Sequence, residues 1–315
     1  MPVQARCFNT IKVDKSKGTI TKTSTDVKKF IDEINWYSKV PREVQYCIPR
    51  IFDSSVDAES SFITMEHYDY KTLHEVFIEE GKNRNLEFWT DVFKNLKDFT
   101  DKMKKYQPAD LSNQREAISS MYLEKTTSRL RKCKELFGPL FEDKFIVNGV
   151  YYEGLQKELG TLYTPKVLSR LINCPTFNFI HGDLCFANVL VAPNTHALRV
   201  IDPRGSFGSY DVYGDPRYEL AKILHSIDGN YDKIIEDQFK IIHLGERAFN
   251  FEIEQDTQLV DCFVKTFGIS PEDFMDIKLI EALLFLSMIP LHSDYPNRQY
   301  AMLATGLSLL RSACL

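Results

Sequence analysis

The sequence predicts an α+β chain in two lobes, a small β-rich one over residues 1–70 and a larger, mostly helical one over residues 71–315. Three observations predict it. At 315 residues the chain is longer than one typical core supports. β-Branched runs and turn signals crowd the first lobe. From about Thr72 onward the apolar residues recur at helical spacing.

Phe8–Asp14 and Thr19–Thr25 are strand-like and are joined by the turn-forming Lys15-Ser-Lys-Gly18, which predicts a hairpin. Asp26 is a candidate cap for a helix over Val27–Ser38, with Phe30, Ile31, Ile34 and Tyr37 on its apolar face. Pro41 ends it, and two more strands are expected around Arg50–Phe52 and Ser61–Met65. Helices follow from Thr72 to Leu136, including Leu86–Tyr106, whose stripe of Trp89, Val92, Phe93, Leu96, Phe99 and Met103 is core. Residues 137–165 are less periodic. Lys166–Ile172 is helical, Phe177–Ile180 is a short strand, and Asn188–Ala192 and Leu198–Ile201 flank the turn Pro193-Asn194-Thr195 as a second hairpin. After Gly214 the pattern is helical almost to the end.

Composition narrows the function. Hydrophobic residues at 43% and charged residues at 26% are globular values and exclude wholesale disorder. A net charge of −5 argues against a broad basic surface, hence against nucleic acid or anionic membrane as partner. There are 14 glycines, where average usage gives roughly 22. Neither G-x-x-x-x-G-K-[ST] nor G-x-G-x-x-G occurs, so the P-loop and simple dinucleotide readings fail. The seven cysteines are scattered without a C-x-x-C, which suits free thiols in a reducing compartment. The start, MPVQARCFNTIKVDK, has no apolar signal core. The most apolar run, Leu279–Leu291, carries Glu281 and Pro290 and is shorter than the ~20 residues a spanning helix needs. A cytoplasmic protein with no membrane insertion is expected.

The chemistry concentrates in Phe179-Ile-His181-Gly182-Asp183-Leu-Cys-Phe-Ala-Asn188-Val-Leu-Val191 and Leu198-Arg-Val-Ile-Asp202-Pro-Arg-Gly205. A strand ends in a carboxylate, Asp183. An amide, Asn188, opens the next strand, and the strand after that ends in a second carboxylate, Asp202. The hairpin brings Asn188 and Asp202 to one end. An amide oxygen plus a carboxylate is the hard-oxygen set that Mg²⁺ accepts when substrate phosphates complete its shell. A separate carboxylate then orients the attacking hydroxyl, and H-x-D-x-x-x-x-N with a downstream Asp is the kinase arrangement.

These residues, with Gly214-Asp215-Pro216-Arg-Tyr-Glu219-Leu220-Ala221, resemble the aminoglycoside phosphotransferase/choline kinase superfamily over about Ile180–Ala221. The resemblance implies a bilobal protein-kinase-like fold and an enzyme that transfers the γ-phosphate of ATP or GTP to a hydroxyl of a small molecule, with Mg²⁺ as cofactor. It implies Asp183 as catalytic base, Asn188 and Asp202 as metal ligands, and His181 and Asp215 as supports of the catalytic loop. Gly182 stands where protein kinases carry Arg. Glu219 replaces the usual Asp, and Pro203-Arg204 replaces a common aromatic-glycine pair.

A kinase fold also asks the first lobe for a strand lysine, a helix acid and a hinge. Lys22 and Glu33 are the candidates, with Lys12 and Asp32 as rivals. Residues 63–71 resemble the hinge, with backbone near Glu66, His67 and Tyr68 facing adenine and Met65 lining the back of the pocket. Gly18 is the lone glycine upstream of Lys22, so either a first strand is lost or the Lys15–Gly18 turn covers the phosphates. Arg204, Tyr210, Asp211, Tyr213 and Arg217, just after the metal carboxylate, are candidates for the acceptor pocket. Aromatic rings there suit a quaternary amine or a sugar. The pattern is also similar to kinase-like proteins encoded with bacterial surface-polysaccharide enzymes, which favours a sugar or polyol acceptor; an amino alcohol is the other option. A protein kinase is disfavoured by Gly182 and by the absence of A-P-E. A nucleotide-binding pseudokinase is disfavoured by the retained Asp183, Asn188 and Asp202.

Overall fold

The computed structural model describes residues 9–56, 61–174 and 176–314; Cys7 and Phe8, the first residue of the first predicted strand, lie outside them. The chain forms two compact units. One takes the described residues up to Ala109 together with Phe177–Glu219, and the other takes Asp110–Thr176 and Leu220 onward. The boundary expected at residue 70 therefore falls inside the first unit. The reason is local: β5 (Lys71–Thr72) pairs antiparallel with the catalytic-segment strand β9 (Val189–Val191).

The first unit opens with an antiparallel sheet of β1 (Asn9–Asp14), β2 (Thr19–Ser24), β3 (Ile51–Ser55) and β4 (Phe62–Glu66), in the order β1-β2-β4-β3. The β1–β2 turn is folded by Asp14, whose Oδ1 accepts from the Ser16 and Lys17 amides at 3.1 and 3.2 Å. Helix α1 (Val27–Lys39) starts where Asp26 Oδ1 accepts from the Lys29 amide. Its buried face is Phe30, Glu33, Trp36 and Tyr37, whereas Ile31, expected to be apolar core, is 44% exposed. A charged residue holds that place because it has a cation to meet. Helix α2 (Leu73–Glu80) opens on a Thr72/Glu75 capping box. The expected stripe of α3 (Leu86–Met103) is fully buried. Trp89 of that stripe stacks on Phe186 at a centroid distance of 5.1 Å, and Phe77 meets Phe186 edge-on. Core packing thus reaches directly into the segment between Asp183 and Asn188.

The second unit is mostly helical but carries a four-stranded sheet that the sequence reading missed. Strands β6 (Phe145–Val147) and β7 (Val150–Tyr152) are joined by Asn148-Gly149, both at positive φ, as a tight hairpin turn requires. The remaining short strands of the first unit are β8 (Asn178–Phe179), β10 (Leu198–Val200) and β11 (Tyr213–Gly214). Beyond Gly214 the helical expectation is corrected by a hairpin of β12 (Lys240–Gly245) and β13 (Ala248–Glu252), with β13 also pairing parallel to β6. Its signal was alternation of Phe249 and Phe251 around polar residues, with Gly245 at φ +146° before the turn. Helix α4 (Pro165–Ile172) matches its expected span, and α5 (Pro216–Ile227) from Leu220 on, α6 (Thr257–Phe267), α7 (Pro271–Met288) and α8 (Pro296–Cys314) complete the unit. Gly306 lets α7 and α8 close, since a Cβ there would lie 2.8 Å from the Leu286 side chain. Among the described residues no helix is long and apolar enough to cross a membrane, and Cys47, Cys133, Cys174, Cys185, Cys262 and Cys314 are free thiols.

Helix α7 buries Glu281 completely. Burial, with the Asp228 charge beside it, pushes its carboxyl well above the usual 4.5, so the folded protein holds this proton to higher pH than the unfolded chain does. Stability contributed by a group of raised pKa is lost as pH rises above the unfolded value. Glu281→Gln is therefore expected to melt close to wild type at pH 4.5 and progressively higher than wild type toward pH 8. A gap between the melting temperatures that is independent of pH would contradict this.

Candidate active site

Every residue singled out for chemistry lies in the first unit. Lys22, in β2 opposite Ile63 of β4, points to the buried face of α1. Its Nζ lies 2.8 and 3.0 Å from the two Glu33 carboxylate oxygens and 3.0 Å from Asp202 Oδ1. Lys22 and Glu33 side chains are each 8% exposed, Asp202 46%. The rival Lys12 is exposed on the edge strand β1. Burial pushes the Lys22 ammonium down, but the Asp202 and Glu33 charges outweigh it and leave it above the usual lysine value. Burial, aided by the Asp202 charge, pushes Glu33 up to about 7 against the pull of Lys22.

Strands β9 and β10 pair antiparallel with Val189 opposite Val200. The Ile201 amide then donates to the Asn188 carbonyl at 3.0 Å, which places the two metal candidates at one end of the hairpin. Asp202 itself has φ +56°, a left-handed conformation that Asp tolerates better than most residues. Asn188 Nδ2 donates to the Asp183 carbonyl at 2.9 Å, which leaves its amide oxygen as the atom available to a metal. That oxygen and the half-exposed Asp202 carboxylate are hard oxygen donors, so the residues present fit Mg²⁺ sharing its shell with phosphate.

His181 is fully buried. Its Nδ1 accepts the Asp183 amide at 3.3 Å, so Nε2 carries the proton given to the Ile201 carbonyl at 3.0 Å. It ties the Asp183 loop to the Asp202 strand. The residue that sequence reasoning underrated is Glu219: its two carboxylate oxygens accept the backbone amides of His181 (2.9 Å) and Gly182 (2.7 Å). The signal was its departure from the usual Asp, whose shorter side chain reaches less far. Glu219→Gln replaces one acceptor by a donor facing an amide. A bond to a charged group is worth about 1.5–3 kcal/mol, so turnover is expected to fall roughly ten- to hundredfold with nucleotide affinity retained. Equal turnover in both proteins would contradict the role.

No family model and no curated protein sequence matches this chain. Solved structures do. One is a thermostable mutant of aminoglycoside phosphotransferase APH(4)-Ia in ternary complex with AMP-PNP and hygromycin B. It aligns with a TM-score of 0.58 at 13% identity, over 99% of this chain and 93% of that one. Another is the streptomycin-ATP-APH(2")-IIa ternary complex, with a TM-score of 0.53 at 13% identity over 98% and 90% of the two chains.

The fold is that of the aminoglycoside phosphotransferases. A strand-rich N-lobe with a helical C-lobe was the expected class, and it holds.

Within this aminoglycoside phosphotransferase fold the hinge candidates divide. The Glu66 amide already donates to Arg50 and the His67 amide to the Gly18 carbonyl, at 2.8 and 2.9 Å. The Glu66 carboxylate accepts from the Tyr68 hydroxyl at 2.6 Å. Met65 is buried in β4 opposite Ile20. The Lys15–Gly18 turn thus sits at the hinge end of β2. Lys22 lies four residues on, roughly 13 Å along an extended strand.

The acceptor candidates are largely occupied by local structure. Arg217 donates bidentately to Asp215, which is fully buried and accepts the Arg217 amide at the start of α5. Tyr210 packs edge-on to Phe177 at 5.0 Å and Tyr213 edge-on to Phe179 at 5.9 Å. Asp211 pairs with Lys39. The Arg204 amide donates to the His181 carbonyl and its guanidinium to the Tyr218 hydroxyl at 3.2 Å.

Proposed function

We propose that this chain is a Mg²⁺-dependent phosphotransferase that moves the γ-phosphoryl group of ATP or GTP to a hydroxyl of a small molecule. The observation that carries it is the ammonium of Lys22, held between Glu33 and Asp202 at one end of the hairpin whose other chemical residues are Asn188 and Asp183. A triphosphate offers Lys22 more negative charge than Asp202 alone. Glu33 keeps the ammonium aimed while it binds. The Tyr68 amide and the hinge carbonyls are the groups for the adenine edge, with Met65 behind the base. Asn188 and Asp202 hold Mg²⁺, which when bound neutralises and orients the phosphates. Asp183 accepts the hydrogen bond of the acceptor hydroxyl and aims its oxygen at the γ-phosphorus. As the new P–O bond forms, the bond to the departing diphosphate breaks and the hydroxyl proton passes to Asp183. Gly182, at φ +78° against the Arg204 stem, lets the loop turn here.

For the acceptor, an amino sugar or related polyol is the reading supported best, since the solved relatives carry hygromycin B and streptomycin. Arg204, half-buried beside the loop, suits an anionic substituent on it. The deciding experiment measures ADP or GDP release with Mg²⁺ over a panel of aminoglycosides, free amino sugars, polyols, amino alcohols and a generic protein substrate. Acceptor-dependent release from one of the small-molecule classes is expected. Release no higher than from Asp183→Ala with every acceptor would overturn catalysis and leave nucleotide binding alone.

A further inference from the structure

Helix α1 meets the loop after Asp202 backbone to backbone. A Cβ at Gly205 would lie 2.0 Å from the Asp32 carbonyl oxygen and 2.3 Å from its carbon, and Gly205 has φ +71°. Glycine is thus the residue that admits the helix at this height. The next helical residue, Glu33, takes both oxygens to Lys22, and Lys22 bonds Asp202. Among the described residues Lys22 is the side chain that bonds the Asp202 carboxylate. Nearly one turn on, Trp36, fully buried, donates Nε1–H to the Ile180 carbonyl at 2.7 Å, immediately before His181. The same helix is therefore fixed both to the segment entering the Asp183 loop and to the segment leaving Asp202.

We propose that Gly205 and Trp36 are positioning residues that set the height of α1, and through Glu33 and Lys22 set where the Asp202 carboxylate stands for its metal. Neither touches nucleotide or acceptor in this scheme. A helix shifted outward by a methyl group at 205 carries Glu33 with it. Lys22 then follows Glu33 or stays with Asp202, and the three-way contact is broken in either case. The inference rests on the phosphotransfer reading.

The test compares binding of Mg·ATP with binding of ATP in excess chelator, by calorimetric titration, for wild type, Gly205→Ala, Gly268→Ala and Trp36→Phe. Gly268 is the control: its φ is +69° but a Cβ there meets nothing within 4 Å, so it carries the same backbone penalty without the collision. Gly205→Ala is expected to weaken Mg·ATP by about tenfold or more while ATP alone changes less than about twofold. Gly268→Ala should match wild type in both. Trp36→Phe, which keeps a ring but removes the donor, should lower the metal-dependent part by about three- to tenfold. Equal Mg·ATP affinity for wild type and a folded Gly205→Ala overturns the inference. If Gly205→Ala does not fold, unchanged metal dependence in Trp36→Phe overturns it instead. Wild type that binds no Mg·ATP overturns the phosphotransfer reading, and the inference falls with it.

Discussion

Asp183→Ala is expected to lower acceptor phosphorylation by about 10²–10⁴-fold, the span a positioned acid–base group contributes, while Mg·ATP affinity stays close to wild type. The backbone of Asp183 helps build the loop that carries it. Its carbonyl accepts from Asn188 Nδ2 and from the Cys185 amide, and its amide donates to His181. Removing the side chain leaves those backbone bonds, so Asn188 keeps its tie to the loop and Lys22 keeps its place between Glu33 and Asp202. Phe186, two residues before Asn188, remains packed against Trp89 and Phe77. The loss should accordingly fall on turnover. Initial rates and calorimetric titration of the same preparation separate the two quantities. A variant that loses Mg·ATP binding but keeps a wild-type rate at saturation would remove Asp183 from its role.

Much of the candidate site's juxtaposition was legible because its residues are close in sequence and each sits at or near a strand end. His181, Asp183, Asn188 and Asp202 fall within one strand–loop–hairpin unit, whose β-branched strands and Pro-Asn-Thr turn announce the geometry. Lys22 and Glu33 were legible for a different reason: a strand lysine and a helix acid on consecutive elements can meet only if both face the same way. The misreading of the Ile31 face shows the limit of pattern alone, since hydrophobic periodicity cannot tell that Glu33 is buried by an ion pair. Glu219 is 37 residues from the Gly182 amide it accepts, and its departure from the usual Asp does not say which groups it reaches. The β12–β13 hairpin was hidden by brevity and by exposed apolar residues such as Ile242 and Leu244, which blur alternation. Gly205 is equally invisible in sequence, because a backbone collision with Asp32 exists only once the helix has docked.

Lys22→Met is expected to remove both nucleotide use and stability, and the two losses can be separated by a second substitution. Lys22 and Glu33 are a buried pair, and deleting one partner of such a pair typically costs about 3–5 kcal/mol because the other charge is left without compensation. Glu33 would then stand near Asp202 with no cation between them. Its carboxyl, already up at about 7 through burial and the Asp202 charge, loses the one influence that lowers it. A folded-state carboxyl raised above its unfolded value makes the protein less stable as pH rises past that unfolded value of 4.5. The melting deficit of Lys22→Met should therefore be small near pH 4.5 and grow toward pH 8. In Lys22→Met/Glu33→Met the buried acid is gone, so most of the stability should return and the added pH slope should vanish. Phosphoryl transfer should not return, since the ammonium proposed to meet the phosphates is missing in both. Thermal melts at pH 5, 6.5 and 8 beside Mg·ATP turnover test this directly. Recovery of turnover in the double variant would show that Lys22 serves the fold and not the nucleotide. A Lys22→Met deficit that does not change with pH would show that Glu33 stays ionised by some other means.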